Sequence, residues 1–152
     1  MGVPAKEFMM TPREKLIERL KILGGPSPSQ GNRPLVTLEE FFEGNDDLGS
    51  LGCNLNEHPG IRFFYDTLRS IRSKANVQDV LVEVADFVPE DESMWPFSDR
   101  IYILANASRT EVAQWTAVLQ PDEIEAGFPV DNIPHPIPDL WPGAQVWAAW
   151  WD

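Results

Sequence analysis

The stretch FFEGNDDLGSLGCNLNEHPG, residues 41–60, gathers the side chains best suited to chemistry: Asp46, Asp47, Cys53, Asn54 and His58. A thiol nucleophile needs a base that raises its thiolate fraction and a third group that orients the base. Cys53 and His58 stand five positions apart, and the other histidine, His135, lies in a proline-rich segment. Neither spacing forms a thiol-hydrolase signature, and neighbouring acids disfavour a thiolate. The sequence therefore predicts a small buried thiol at Cys53, with no catalytic role.

Asn45, Asp46 and Asp47 invite a hard-cation reading. An EF-hand loop places oxygen ligands at alternate positions, with Gly sixth and Glu twelfth, and no start within this stretch meets that pattern. One cysteine and two histidines are too few for a zinc cage. No glycine-rich fingerprint follows a strand, and neither Gly-Lys-Ser/Thr nor Gly-x-Ser-x-Gly occurs. Neither metal nor cofactor is expected. A paired-carboxylate hydrolase stays open, because carboxylate separation is set by the fold. The simpler expectation is that Gly44, Gly49 and Gly52 serve backbone geometry, and that Asn45, Asp46 and Asp47 form turns.

Charge restricts the partners. Across 152 residues the net charge is −12, from 12 Lys and Arg against 24 Asp and Glu. That balance opposes a nucleic-acid binder that neutralises phosphates, and docking on anionic lipid. Between Arg33 and Arg62 stand six acids and no base; after Arg109 come seven acids and no base. Such a field steers basic partners. The N-terminal stretch MGVPAKEFMM has no continuous apolar block, and no run is long enough to span a bilayer, so a cytoplasmic protein is expected.

The elements that position these residues follow from capping and periodicity. Thr11-Pro12-Arg13-Glu14 is a helix start, with Leu16, Ile17, Leu20 and Leu23 on one stripe and Gly24-Gly25 as the stop. GGPSPSQGNRP is a linker by composition. Thr37 to Glu40 repeats the capping box, and Gly44 ends that short helix. Pro59 is the expected start of a longer helix carrying Ile61, Phe64, Tyr65, Leu68 and Ile71. VQDVLVEVADF alternates as a strand, RIYILAN is a buried strand, and Ser108 to Glu111 opens a further helix. Six prolines from Pro121 to Pro142 predict ordered coil, and QVWAAWWD closes the chain as a strand. The sum is an α+β fold: a small mixed, mainly antiparallel sheet of about three strands, with helices packed mainly on one face. Residues 1–34 are expected to be a loose N-terminus, helix and linker, ahead of a single domain at 35–152.

Four of the six tryptophans fall in the last twelve residues. Strand alternation puts Trp147 and Trp151 on one face with Ala149, and Trp150 on the other with Val146 and Ala148. Trp150 is expected in the core. Trp151, next to the chain end, is expected to be partly exposed and available as a binding anchor.

VTLEEFFEGNDDLGSLGCNL together with WPFSDRIYIL resembles a family of uncharacterised bacterial proteins with no assigned activity, over residues 35–152. In general style, an acidic α+β chain without catalytic motifs is similar to the immunity proteins that neutralise bacterial toxins. The resemblance transfers no functional residue. The functional expectation is a protein-binding module, of inhibitor or immunity type, that presents acidic loops to a basic partner through Asp46, Asp47, Asn54, Trp147 and Trp151. The alternative is a small carboxylate-based hydrolase, or small-molecule-binding enzyme, around residues 45–58. A monomer is expected because like charges repel a second copy; a dimer would use the C-terminal strand edge.

Overall fold

Three capping boxes fix where helices begin. Thr11, Thr37 and Ser108 each accept the backbone N–H three residues on, and Glu14, Glu40 and Glu111 reach back to the cap. The computed structural model describes residues 10–27, 32–129 and 133–152. Its helices are α1 (Pro12–Ile22), α2 (Leu38–Phe42), α3 (Ile61–Arg72) and α4 (Arg109–Thr116). The strands are β1 (Leu35–Thr37), β2 (Val77–Glu83), β3 (Arg100–Ala105), β4 (Glu123–Ala126) and β5 (Gln145–Trp150). α3 starts two residues later than Pro59 suggests. Gly60, at φ 104°, makes the turn into the helix, and its N–H donates to His58 Nδ1.

The sheet has five strands in the order β1-β2-β3-β5-β4, and every pair is antiparallel. This corrects the expected mixed sheet of about three. Both additional strands are short edge strands. β1 runs straight into the Thr37 cap, and β4 buries Ile124 alone within acidic, proline-flanked sequence. Without a run of alternating apolar residues, neither carries a periodic signal. β5 pairs on both sides, with β3 and with β4. A dimer through the C-terminal strand, the alternative to the expected monomer, would therefore have no free β5 edge to use.

Register sorts the side chains onto two faces. Val36, Val82, Ile101, Ala149 and Ile124 are successive cross-strand partners, and they join the main core with the helices. That row is wholly apolar. The opposite face holds Leu35, Leu81, Tyr102, Leu104, Val146 and Ala148, with Phe128 and Trp150 packed against them. No helix covers it. The coil at 133–142 is instead tied along the sheet: Leu35 N–H donates to His135 O, Gln78 Nε2 to Asp139 O, and Asn106 Nδ2 to Pro142 O. The free edge of β1 is sealed by that first bond and by Thr37 N–H donating to Glu40 Oε1, which blunts edge-to-edge pairing.

α1 shares the main core. Leu16 and Leu20 lie in the same cluster as Val36. Arg13 donates to the carbonyls of Val88, Asp91 and Met94, tying the 88–94 loop to α1. Of the first ten residues, expected to be loose, 1–9 lie outside the described residues, as does the linker centre at 28–31. Among the described residues no helix is long and apolar enough to cross a membrane.

Candidate functional site

The 41–60 loop is held mainly by its own polar side chains. Asn45 is buried; its Oδ1 accepts Asp47 N–H at 2.9 Å, and its Nδ2 donates to Ser50 Oγ at 2.9 Å. Asp47 Oδ1 accepts Gly49 N–H, and Oδ2 accepts Trp95 N–H. Both residues thus have the turn role the sequence predicts. Gly44 and Gly52 hold φ of 79° and 70°, and a Cβ on either would come within 2.8 Å of Pro12 or Phe64. Gly49 has no positive φ, so its expected backbone role is not required.

The chemically promising residues do not converge. His58 Nδ1 accepts Gly60 N–H, which leaves Nε2 to donate to Leu51 O at 2.7 Å; neither ring nitrogen is free. Asn54 Nδ2 donates to Asp122 Oδ2 and Asp152 O. Cys53 is exposed, which corrects the expected buried thiol. The turn that follows Gly52 carries it outward, while Leu51 takes the interior position. Among the described residues no three His, Cys, Asp or Glu side chains gather as a metal site would need.

The six-acid run is partly neutralised in three dimensions. Arg72 forks onto Glu39 at 2.8 and 2.5 Å, which holds that carboxyl below its usual range, and Arg19 pairs with Glu40 at 3.2 Å. Glu43, Asp46 and Glu57 remain exposed. Glu43 and Asp46 stand on an open groove of about 490 Å³ between the end of α2 and the start of α3, together with Phe42, Ile61, Arg62 and Tyr65. Phe42 and Tyr65 stack there at 5.1 Å with their planes 9° apart. Arg69 covers the Tyr65 ring at 4.2 Å. Burial, then the charge of Glu39, raise the Tyr65 pKa, so its hydroxyl stays neutral.

The tryptophans fall on the predicted faces but not at the predicted exposures. Trp151 is 2 % exposed; its Nε1 donates to Leu119 O at 2.8 Å, and Phe64 meets its ring edge-on at 5.5 Å. Trp147 is buried too, with Nε1 donating to Ala107 O. Neither is an exposed anchor. The face they share is the one the helices cover, so proximity to the chain end gives no exposure. Trp150, expected in the core, is half-buried on the face without helices.

A second polar cluster lies on that face, and sequence reasoning missed it. Register aligns Leu35, Glu83, Arg100, Trp150 and Glu123 across the sheet, with Leu81, Tyr102, Ala148 and Glu125 in the row beside them. Glu83 is fully buried; Arg33 Nη1 and the Tyr102 hydroxyl each reach its carboxylate at 2.8 Å. Burial, then the Glu83 charge, push the Tyr102 pKa far up. Burial opposes the charged form of Arg100, but Tyr102, Glu83 and Asp99 together outweigh it and raise its pKa. The signal available in the sequence was Arg100 and Tyr102 two apart on one strand, and Glu83 on the Leu81 face of another. Only the register joins them.

Comparison with known proteins agrees with the resemblance seen in the sequence. The model of the Uncharacterized protein YfbO family matches residues 11–149, and the chain belongs to that family. A protein of Escherichia coli (strain K12), described as Uncharacterized protein YfbO, is 35% identical over 144 residues, covering 94% of this chain and 100% of its own length. The family match includes α1, which the sequence resemblance over 35–152 left out. No solved structure matches the chain.

Proposed function

We propose that this protein is a protein-binding module of inhibitor or immunity type, acting as a cytoplasmic monomer, that takes a basic partner onto the α2–α3 groove. The observation that carries this reading is the pairing pattern. Among the described residues Glu43 and Asp46 have no cation within ion-pair distance, while Glu39 and Glu40 are neutralised internally. A partner's Lys or Arg would lay its stem along Phe42 and Ile61 and place its charge between the two free carboxylates. Charge then governs the association rate, and the apolar floor governs residence.

The reading narrows the expected binding set. Asp46 stays in it, whereas Asp47 and Asn54 are engaged in internal hydrogen bonds and Trp147 and Trp151 are buried. The hydrolase alternative needs a base and a carboxylate facing one space. His58 is held by backbone at both nitrogens and does not reach the groove, so no observation favours it.

The test is affinity capture from the cells of origin with the parent chain and with a Glu43→Gln/Asp46→Asn double variant. The expected result is a basic protein recovered with the parent and lost with the variant. Equal recovery by both, or a partner without excess positive charge, would sink the reading.

A further inference from the structure

On the face without helices, Asp79 pairs across the sheet with Leu104 and stands two positions from Leu81. It is half-buried; its Oδ1 accepts Val80 N–H at 2.8 Å, and among the described residues no cation comes within ion-pair distance of it. The charged groups around it are engaged elsewhere. Arg72 forks onto Glu39, and Arg19 pairs with Glu40, whose other oxygen accepts Thr37 N–H. Asp79 lines a cleft of about 200 Å³ between β1, β2 and the coil at 136–138, with apolar walls from Leu35, Leu81, Pro136, Ile137 and Pro138. Burial raises its pKa despite the Val80 N–H and the Arg72 charge, so the carboxylate is under-compensated.

We propose that this cleft binds a short primary alkylammonium ion, with Asp79 Oδ2 holding the ammonium group and the proline-rich wall covering the alkyl chain. It shares no residue with the α2–α3 groove. Charge fixes the sign of the ligand: Arg19 and Glu40 cancel in the lining, which leaves Asp79 as its net charge. Oxygen supply fixes the head group. A guanidinium fork needs two carboxylate oxygens, whereas Oδ1 is already engaged and a single oxygen suits a compact ammonium. Size fixes the length. At about 30 Å³ for a water-sized group, the cleft has room for roughly six heavy atoms, an ammonium nitrogen and four or five carbons. Ile137 is 42 % exposed, so an alkyl chain laid on it adds apolar burial.

The experiment follows the Asp79 carboxyl carbon and Val80 N–H resonances in the full chain during titration with butylammonium chloride, with butan-1-ol and sodium chloride at matched concentration as controls. A saturable shift with butylammonium alone is expected. Methylammonium, which lacks the longer chain, should bind about tenfold more weakly. Only the ionised carboxylate attracts the cation, so butylammonium at about nine times its Kd should lower the Asp79 midpoint by about one pH unit. Asp79→Asn keeps the side-chain shape without the charge, and its Val80 N–H should no longer respond. A shift that is absent, or equal for sodium chloride, overturns the proposal, as does methylammonium bound as well as butylammonium or saturable binding retained by Asp79→Asn. Butylguanidinium bound more tightly than butylammonium overturns it too, because the site would then select a fork.

Discussion

The Tyr102 hydroxyl donates to Glu83 Oε1 at 2.8 Å while Arg33 Nη1 holds Oε2 at the same distance, so one fully buried carboxylate joins β2, β3 and the entry to β1. Removing a donor leaves a buried anion short of a partner. Tyr102→Phe should cost about 1–3 kcal/mol. Arg33→Ala should cost on the order of 3 kcal/mol, because it leaves the charge unpaired. Urea denaturation reads both. A loss below half a kcal/mol in each would mean that the pairing contributes nothing.

The tryptophans provide a graded test. Trp151→Ala should cost about 3–5 kcal/mol, in keeping with a large aromatic removed from a packed core. Trp150→Ala, at a half-buried position, should cost distinctly less. Iodide should quench the parent mainly through Trp141, which is 47 % exposed, so Trp141→Phe should remove most of the accessible fluorescence. Strong quenching of Trp151 would contradict the packing of β5.

Asp79 gives a pH signature. Burial raises its pKa, against the Val80 N–H that it accepts. The folded chain therefore holds this proton more tightly than the unfolded chain, and ionisation of Asp79 costs stability as pH rises through the folded value. Asp79→Asn should be more stable than the parent at neutral pH. The gain should vanish below about pH 4, where the aspartate is protonated in both states. Melting curves across that range decide the matter, and a gain that persists in acid would point to another cause.

Cys53, exposed and outside any constellation, should react with a thiol reagent in the folded protein. Cys53→Ser should shift stability by no more than about half a kcal/mol. Protection of the thiol until unfolding would contradict its exposed position.

Local signals in the sequence were read well. The three capping boxes, the stripe on α3 and the alternation of Val80, Val82 and Val84 all depend on spacing within one element, and all are present. What was missed depends on long-range pairing. β1 and β4 bury too few residues to show a period, and the insertion of β5 between β3 and β4 is written in no single segment. The Glu83–Arg33–Tyr102 contact joins three segments, so neither motif nor periodicity points to it. The free acids of the groove show the same limit: the run at 39–57 counts six, but Arg19 and Arg72, outside that run, neutralise two. Even the fate of Trp151 turned on which face the helices cover.

The binding claim rests on steering by Glu43 and Asp46, so the most direct measurement is the association rate of the captured partner at rising ionic strength. The parent should associate quickly at low salt and slow steeply as salt screens the groove. The Glu43→Gln/Asp46→Asn variant, with an unchanged melting curve, should start slower and show a much flatter salt dependence. A parent rate indifferent to salt, or a variant with the same slope, would contradict the account.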